Sequence, residues 1–95
     1  MQGFLNVVQL LPVQTKMARA ALGLGVRELS ALSGVSTDTI VRLEKGDILQ
    51  PRTLAAIRSA LEAAGVEFIA ENGGGAGVRL RKPAPPPVQG LAHVR

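Results

Sequence analysis

The chain has 95 residues, 46% of them hydrophobic, and no cysteine, which fits one small domain with modest tails and excludes disulfides and thiolate metal sites. Its formal net charge is +4, but residues 1–77 carry seven basic and seven acidic side chains, so the excess lies at Arg79, Arg81, Lys82 and Arg95. Net charge therefore supports only non-specific attraction to nucleic acid, and a specific claim depends on where the charges lie in the fold.

Residues 1–13 have no clear period, and Pro12 closes them. We interpret them as an N-terminal arm or an added strand. The apolar part, Phe4–Val13, is too short to span a bilayer and has no basic residue before it. We therefore expect neither a signal peptide nor a membrane span, and the cysteine-free composition is compatible with the cytoplasm.

Helical spacing of apolar residues predicts four helices after this arm. Their predicted ranges are Gln14–Leu22, Val26–Ser33, Thr37–Lys45 and Arg52–Ala64. Their predicted buried faces are Met17, Ala18, Ala21 and Leu22, then Leu29, Leu32 and Ser33, then Ile40, Val41 and Leu43, and finally Leu54, Ile57, Leu61 and Ala64. The hydroxyl of Ser36 is expected to cap the third helix, because it can accept a hydrogen bond from a free N–H of the first turn.

After the fourth helix the period changes to that of β-strands. Val66–Ala70 and Gly77–Arg81 are predicted to form a hairpin. Val78 and Leu80 alternate with arginines, which predicts one covered face and one solvent face. An isolated hairpin is marginally stable in water, so this one either docks on the helices or pairs with a second chain. Residues 82–95 are predicted to be a flexible, Pro-rich tail.

The second and third helices carry the most informative pattern of the chain. Leu29, Val35, Ile40 and Leu43 are apolar where two short helices would pack, and Gly34 lies where the turn between them requires a positive φ. This is the pattern of a helix-turn-helix, in which the second helix lies in the DNA major groove. The alternative is an ordinary helical hairpin in a small bundle.

Residues 14–65 resemble the Cro/C1-type (XRE-like) helix-turn-helix family. The segments that carry the resemblance are Arg19-Ala-Ala-Leu-Gly-Leu24, Arg27-Glu-Leu29, Ser33-Gly-Val-Ser36, Thr39-Ile40, Arg42-Leu-Glu-Lys-Gly46 and Pro51. The resemblance implies a mainly α fold, a compact bundle of four or five helices. It also implies binding to operator DNA, usually as a two-fold dimer.

By this resemblance, residues at the start of the third helix face bases or phosphates, and an arginine further along the same face of the helix faces bases. The matching positions are Ser36, Thr37, Asp38, Thr39 and Arg42. An arginine is well suited to bind O6 and N7 of guanine together. Asp38 either accepts from a cytosine amino group or orients Arg42 one turn further on. We favour the second role, because an unpaired carboxylate is repelled by phosphates.

Other positions match contacts to the DNA backbone. Lys45, Arg52 and the N–H groups at the start of the fourth helix belong to this set. The family usually has a glutamine that holds a phosphate at the start of the second helix, where this chain has Val26. The second helix is therefore expected to contact DNA only through backbone N–H groups or through Arg27.

Two further sets of charges have alternative interpretations. Arg19 and Glu44 match a largely buried ion pair that braces the first helix against the third, although they could instead be two solvated surface charges. Arg79, Arg81 and Lys82 either contact a phosphate backbone or minor groove, or form a solvated strand face.

No set of residues suggests chemistry. The chain lacks cysteine and tyrosine, its one histidine is His93 in the predicted tail, and Gly73–Gly77 lacks the ending of a phosphate-binding loop. We expect no catalytic residues, no metal and no cofactor.

The predicted protein is a cytoplasmic transcriptional regulator, a repressor that binds double-stranded DNA as a homodimer. The alternative is an antitoxin-like module whose hairpin and tail hold a toxin or co-regulator, with secondary or autoregulatory DNA binding.

Overall fold

The computed structural model describes residues 10–82. They form, in chain order, α1 (Pro12–Leu22), α2 (Val26–Ser33), α3 (Thr37–Glu44), α4 (Pro51–Ala64), β1 (Val66–Ile69) and β2 (Gly77–Leu80). The mainly helical class and the hairpin are confirmed, and the helix count in this range is four. No helix in this range has the length and apolar character needed to cross a membrane. The Pro-rich segment after Lys82, with His93, lies outside the described residues.

Local chemistry explains where the helices begin. α1 begins at Pro12, two residues before the predicted start, and α4 begins at Pro51. Proline suits these positions because its φ is already helical and the N–H that it lacks would have no partner in the first turn. At the start of α3, the Ser36 hydroxyl accepts a hydrogen bond from the backbone N–H of Thr39 at 3.1 Å. The predicted cap is therefore confirmed.

Glycine makes the turn between α2 and α3. Gly34 has a φ of 75° and donates its N–H to the carbonyl of Ser30 at 2.9 Å, which ends α2. Residues with a β-carbon are strained at this φ, whereas glycine is not. The turn therefore lets α3 leave α2 after only three residues, and the two helices pack on each other.

One apolar core joins all four helices and the first strand. Its buried members are Leu10, Ala18, Leu29, Ile40, Leu43, Ile57, Leu61 and Val66. Leu10 precedes α1, so the described end of the predicted N-terminal arm is packed into the domain. Val66 follows α4 directly, so the hairpin is joined to the same core.

The buried face of α1 differs from the predicted one. It contains Gln14, Thr15 and Ala18, whereas Ala21 is exposed and Met17 is half-buried. Gln14, only 3% exposed, accepts from the N–H of Leu11 at 3.0 Å and donates to two strand carbonyls. Polar side chains occupy this face because their hydrogen bonds are satisfied inside the fold.

Three other apolar residues that were predicted to be buried lie at the surface. Leu32 on α2 is 55% exposed, and both Val41 on α3 and Ala64 at the end of α4 are exposed. Each of the two short helices buries one narrow stripe, formed by Leu29 in α2 and by Ile40 and Leu43 in α3. Because successive residues of a helix are about 100° apart, Val41 lies beside the stripe that Ile40 and Leu43 form.

The hairpin docks on α1 and α4 of its own chain. β1 and β2 are antiparallel, with Val66 opposite Leu80 and Phe68 opposite Val78. The Gln14 side chain fixes the hairpin to α1 by donating to the carbonyls of Ile69 at 3.1 Å and Gly77 at 3.0 Å. Leu80, predicted on the covered face, is 57% exposed, although its opposite residue Val66 is fully buried.

Candidate nucleic-acid interface

The exposed face of α3 forms the centre of the candidate interface. Its exposed side chains are Thr37, Asp38, Val41, Arg42 and Lys45, whose spacing follows one side of the helix. The opposite side is anchored in the core. This face offers a hydroxyl, a carboxylate, a guanidinium and two branched side chains with methyl groups. Thr37, Asp38, Arg42 and Lys45 were already predicted to contact DNA. Val41, which sequence analysis placed in the core, is the one residue of this face that was not.

Two of the predicted base-contacting residues are used in the cap of α3. The Ser36 hydroxyl accepts from the N–H of Thr39 and donates to the Thr39 hydroxyl at 2.9 Å. Thr39 is also half-buried. These hydroxyls therefore fix the start of the helix, and Thr37 and Asp38 are the residues of the first turn that extend into solvent.

The carboxylate that holds Arg42 is not the predicted one. Arg42 Nε donates to Asp47 Oδ2 at 3.0 Å, and both side chains are about half exposed. Asp47 reaches this position because Gly46, with a φ of 105°, turns the chain at the end of α3. Asp38, expected to orient Arg42, makes no hydrogen bond or ion pair within residues 10–82.

The predicted backbone-contacting cations lie at the ends of three helices. Arg27 is in the first turn of α2, Lys45 follows α3 and Arg52 is in the first turn of α4. All three are exposed and have no ion-pair partner in the described part of the chain. The start of α4 is less open than expected, because the N–H groups of residues 53 and 54 both donate to the carbonyl of Gln50.

A carboxylate occupies the start of α2. Glu28 Oε1 accepts from the N–H of Gly25 at 2.9 Å. An acidic group is favourable at this end of a helix, but it lies where an approaching phosphate would need positive potential. α2 therefore presents a carboxylate beside Arg27, and its first residue, Val26, has no side-chain hydrogen-bond donor.

A two-hydrogen-bond ion pair joins α1 to the end of α3. Arg19 Nε and Nη2 donate to the two carboxylate oxygens of Glu44, each at 2.8 Å, and Arg19 Nη1 donates to the carbonyl of Leu24 at 3.1 Å. The side chains are 21% and 7% exposed. The hydrogen bond and attraction to Glu44 raise the pKa of Arg19 above its ordinary value, although burial acts in the opposite direction. This pair is the brace expected from the resemblance.

Hydrogen bonds within the fold engage two of the three cations near the C-terminal end of the described chain. Arg79 pairs with Glu67, directly opposite on β1, at 2.9 Å. Arg81 Nη2 donates to the carbonyls of Glu62 and Val66 at 2.6 and 3.2 Å, so it caps the end of α4. Lys82 is exposed. Sequence analysis missed the cap, since nothing local links Arg81 to α4.

A cleft of about 210 Å³ lies between α1, α4 and the hairpin, but its polar groups are engaged. Gln14 makes the three hydrogen bonds described above, Arg58 lies 4.9 Å from the centre of the Phe68 ring, and Glu71 accepts from two loop N–H groups. No three metal-ligating side chains converge anywhere in residues 10–82. The exposed face of α3 is therefore the stronger candidate site.

No protein-family model matches the chain, and no curated protein matches it significantly. Functional conclusions therefore depend on the residues and their geometry. The features that bear on them are the exposed α3 face, the cations at three helix ends and the brace that holds α3.

Proposed function

We propose that this chain is a cytoplasmic, sequence-specific DNA-binding regulator of the Cro/C1-type helix-turn-helix class, with α3 as its recognition helix. The observation that supports this most is that α3 combines a polar exposed face with support at both ends. Ser36 fixes its start, and the Arg19–Glu44 pair fixes its end. A recognition helix needs such support, because a small misplacement of its side chains would disrupt contacts to base edges.

The dimensions and chemistry of α3 suit a major groove. An α-helix with its side chains is about 10–12 Å in diameter, and the groove is about 12 Å wide. Arg42 carries the donors for guanine O6 and N7, while the methyl groups of Thr37 and Val41 suit a thymine methyl. Asp38 is the one carboxylate in residues 10–82 without a partner. Because it does not orient Arg42, we propose that it accepts a hydrogen bond from a cytosine amino group.

The proposed contacts to the DNA phosphates are made by Arg27, Lys45 and Arg52. Three phosphate contacts per subunit correspond to a slope of about −2.7 for log K against log salt, and a dimer doubles it to about −5. Specific repressors of high affinity make more contacts than one such subunit offers. Binding through two subunits is therefore part of the proposal, with the recognition helices about 34 Å apart on adjacent turns of DNA.

The free edge of β2 is the proposed dimerisation element. The N–H of Arg81 donates to the carbonyl of Gly65, so by the alternation of an antiparallel ladder the backbone groups of Val78 and Leu80 face away from β1. Leu80 adds an exposed apolar side chain. An unpaired edge with an exposed leucine is suited to pair with the same edge of a second copy.

Selection of bound sequences from random DNA at fixed salt tests the main proposal. We expect an enriched palindrome. Arg42→Ala should cost roughly 1–3 kcal/mol at that site and relax preference at one base pair, whereas Arg52→Ala should weaken binding to all DNA alike and reduce the salt slope by about 1. No enrichment, or an equal loss on specific and random DNA for Arg42→Ala, would contradict it.

Sedimentation of full-length Leu80→Lys tests the dimer. We expect a monomer with weakened operator binding, because a lysine at this edge brings like charges together when two copies pair. Leu32→Lys is the matched control, since Leu32 is almost equally exposed, at 55% against 57%. If Leu80→Lys stays dimeric, the hairpin is not the dimer interface. If the wild-type chain is monomeric and selects no sequence, the exposed edge favours the antitoxin-like alternative, in which it holds another protein.

A further inference from the structure

We propose that Asp47 is a positioning residue that sets the sequence specificity of Arg42. This inference rests on the proposed function, because it concerns how the exposed α3 face recognises a base. Asp47 lies outside α3, in the loop that leads to α4. It would act by holding the guanidinium of Arg42, not by touching the DNA.

The contact between the two residues leaves the terminal nitrogens of Arg42 available. Arg42 Nε is the atom that Asp47 Oδ2 accepts from, at 3.0 Å. Neither terminal nitrogen has a partner within residues 10–82. Because a guanidinium is planar, fixing Nε also fixes the plane of the two terminal nitrogens. Those are the atoms that can bind O6 and N7 of guanine together.

Asp47 is itself held in place by the backbone. Its N–H donates to the carbonyl of Arg42 at 3.0 Å, and the N–H of Gly46 donates to the carbonyl of Leu43 at 2.9 Å. The turn therefore places Asp47 next to Arg42, the residue whose side chain it binds. The backbone of Arg42 is fixed in α3, and its guanidinium is fixed by Asp47.

This arrangement can raise specificity in two ways. First, an arginine that is already oriented loses less conformational freedom when it binds a guanine. Second, the Asp47 carboxylate repels phosphates on every DNA sequence, so it weakens complexes in which Arg42 finds no guanine. The first effect depends on the hydrogen bond to Nε, whereas the second depends only on charge.

Two substitutions in full-length protein separate these effects. Asp47→Asn removes the charge but keeps an oxygen that can accept from Nε, whereas Asp47→Ala removes both. The readout is the ratio of affinity for the selected operator to affinity for random DNA, measured at one salt concentration. Both variants should bind random DNA more tightly than the wild type does, and by the same factor, because both lose the carboxylate charge. Asp47→Ala should lower the ratio by about two- to fivefold, the range of a surface ion pair, and Asp47→Asn should lower it less.

The same pair of substitutions in an Arg42→Ala background completes the test. There Asp47→Ala and Asp47→Asn should give the same ratio, because the residue that Asp47 positions is gone. Amide and Nε–H NMR spectra would verify that the fold is kept and that the Arg42 Nε–H exchanges faster with solvent in Asp47→Ala.

The outcomes distinguish this inference from the proposed function. If the wild type selects a sequence and Asp47→Ala has the ratio of Asp47→Asn, or of the wild type, the positioning role is wrong and the proposed function stands. If the wild type selects no sequence, both are wrong. If the difference between alanine and asparagine persists in the Arg42→Ala background, Asp47 acts on something other than Arg42.

Discussion

Removal of Arg19 should destabilise the domain more than removal of Glu44, although the two residues form one ion pair. In Arg19→Met the Glu44 carboxylate, 7% exposed, loses both of its donors. In Glu44→Met the arginine keeps its bond to the carbonyl of Leu24 and, at 21% exposed, retains access to water. The first change leaves the charge that is harder to solvate.

The magnitudes follow from this difference in burial. An ionised group left buried without its partner costs about 3 kcal/mol or more, which sets the expectation for Arg19→Met. The partly solvated arginine left in Glu44→Met should cost roughly 1–2 kcal/mol. For a domain of this size, about 3 kcal/mol corresponds to a Tm lower by roughly 12–24 °C. The double variant should be more stable than Arg19→Met, because it contains no uncompensated buried charge.

Urea unfolding followed by circular dichroism measures these differences. Arg79→Met is the control, since it breaks an ion pair of the same type at the surface and should cost less than about 1 kcal/mol. The pKa of Arg19 is higher in the folded state than in the unfolded state. Charged Arg19 therefore stabilises the fold fully at any pH below its unfolded-state pKa, and this stabilisation is lost only as the pH rises through its folded-state pKa. Arg19 should therefore add no pH dependence between neutral and mildly alkaline pH. If both single variants cost as little as Arg79→Met, the pair is a solvated surface pair and the brace is absent.

Three more changes test contacts that sequence analysis missed. Gln14→Leu should lower the free energy of unfolding by roughly 2–3 kcal/mol and speed hydrogen exchange in β1 and β2, because Gln14 bonds both strands; unchanged exchange would contradict this role. Arg81→Met should cost about 1 kcal/mol of stability by uncapping α4, whereas Lys82→Met, which removes the same charge, should cost nothing measurable in the same urea assay. Glu28→Gln should tighten binding to random DNA in a titration at low salt, because it removes a carboxylate near phosphates but keeps an acceptor for Gly25; Glu71→Gln in the hairpin loop is the control, and an equal effect would show that the position of Glu28 is irrelevant.

Elements whose signals are local could be predicted from the sequence. The range of α2 is as predicted, and the cap of α3 is the predicted Ser36, because a short apolar stripe and a hydroxyl at the right place determine both. The turn at Gly34 was predicted in the same way, from a glycine between two apolar stripes. Each of these features depends on residues within about one helical turn.

Features that depend on distant partners could not be predicted. The buried face of α1 contains Gln14, which the helical period assigns no role, because its partners lie 55 and 63 residues further along the chain. Arg81 caps a helix that ended many residues earlier, and the residue that binds Arg42 is five positions away, beyond the helix end. The period of a helix reports which side is apolar, but it does not report where a polar group finds a partner.

The same distribution of partners explains how a domain without net charge over residues 1–77 could bind DNA. Four of its seven carboxylates form ion pairs within residues 10–82, and two more accept from backbone N–H groups. Lys16, Arg27, Lys45 and Arg52 are left without such partners, and the last three of these lie at helix ends. Fixed internal pairs take no part in counterion release, so the salt dependence of binding should follow these three cations rather than net charge. The ratio of operator to random-DNA affinity should vary little with salt, because it depends on the contacts of the α3 face.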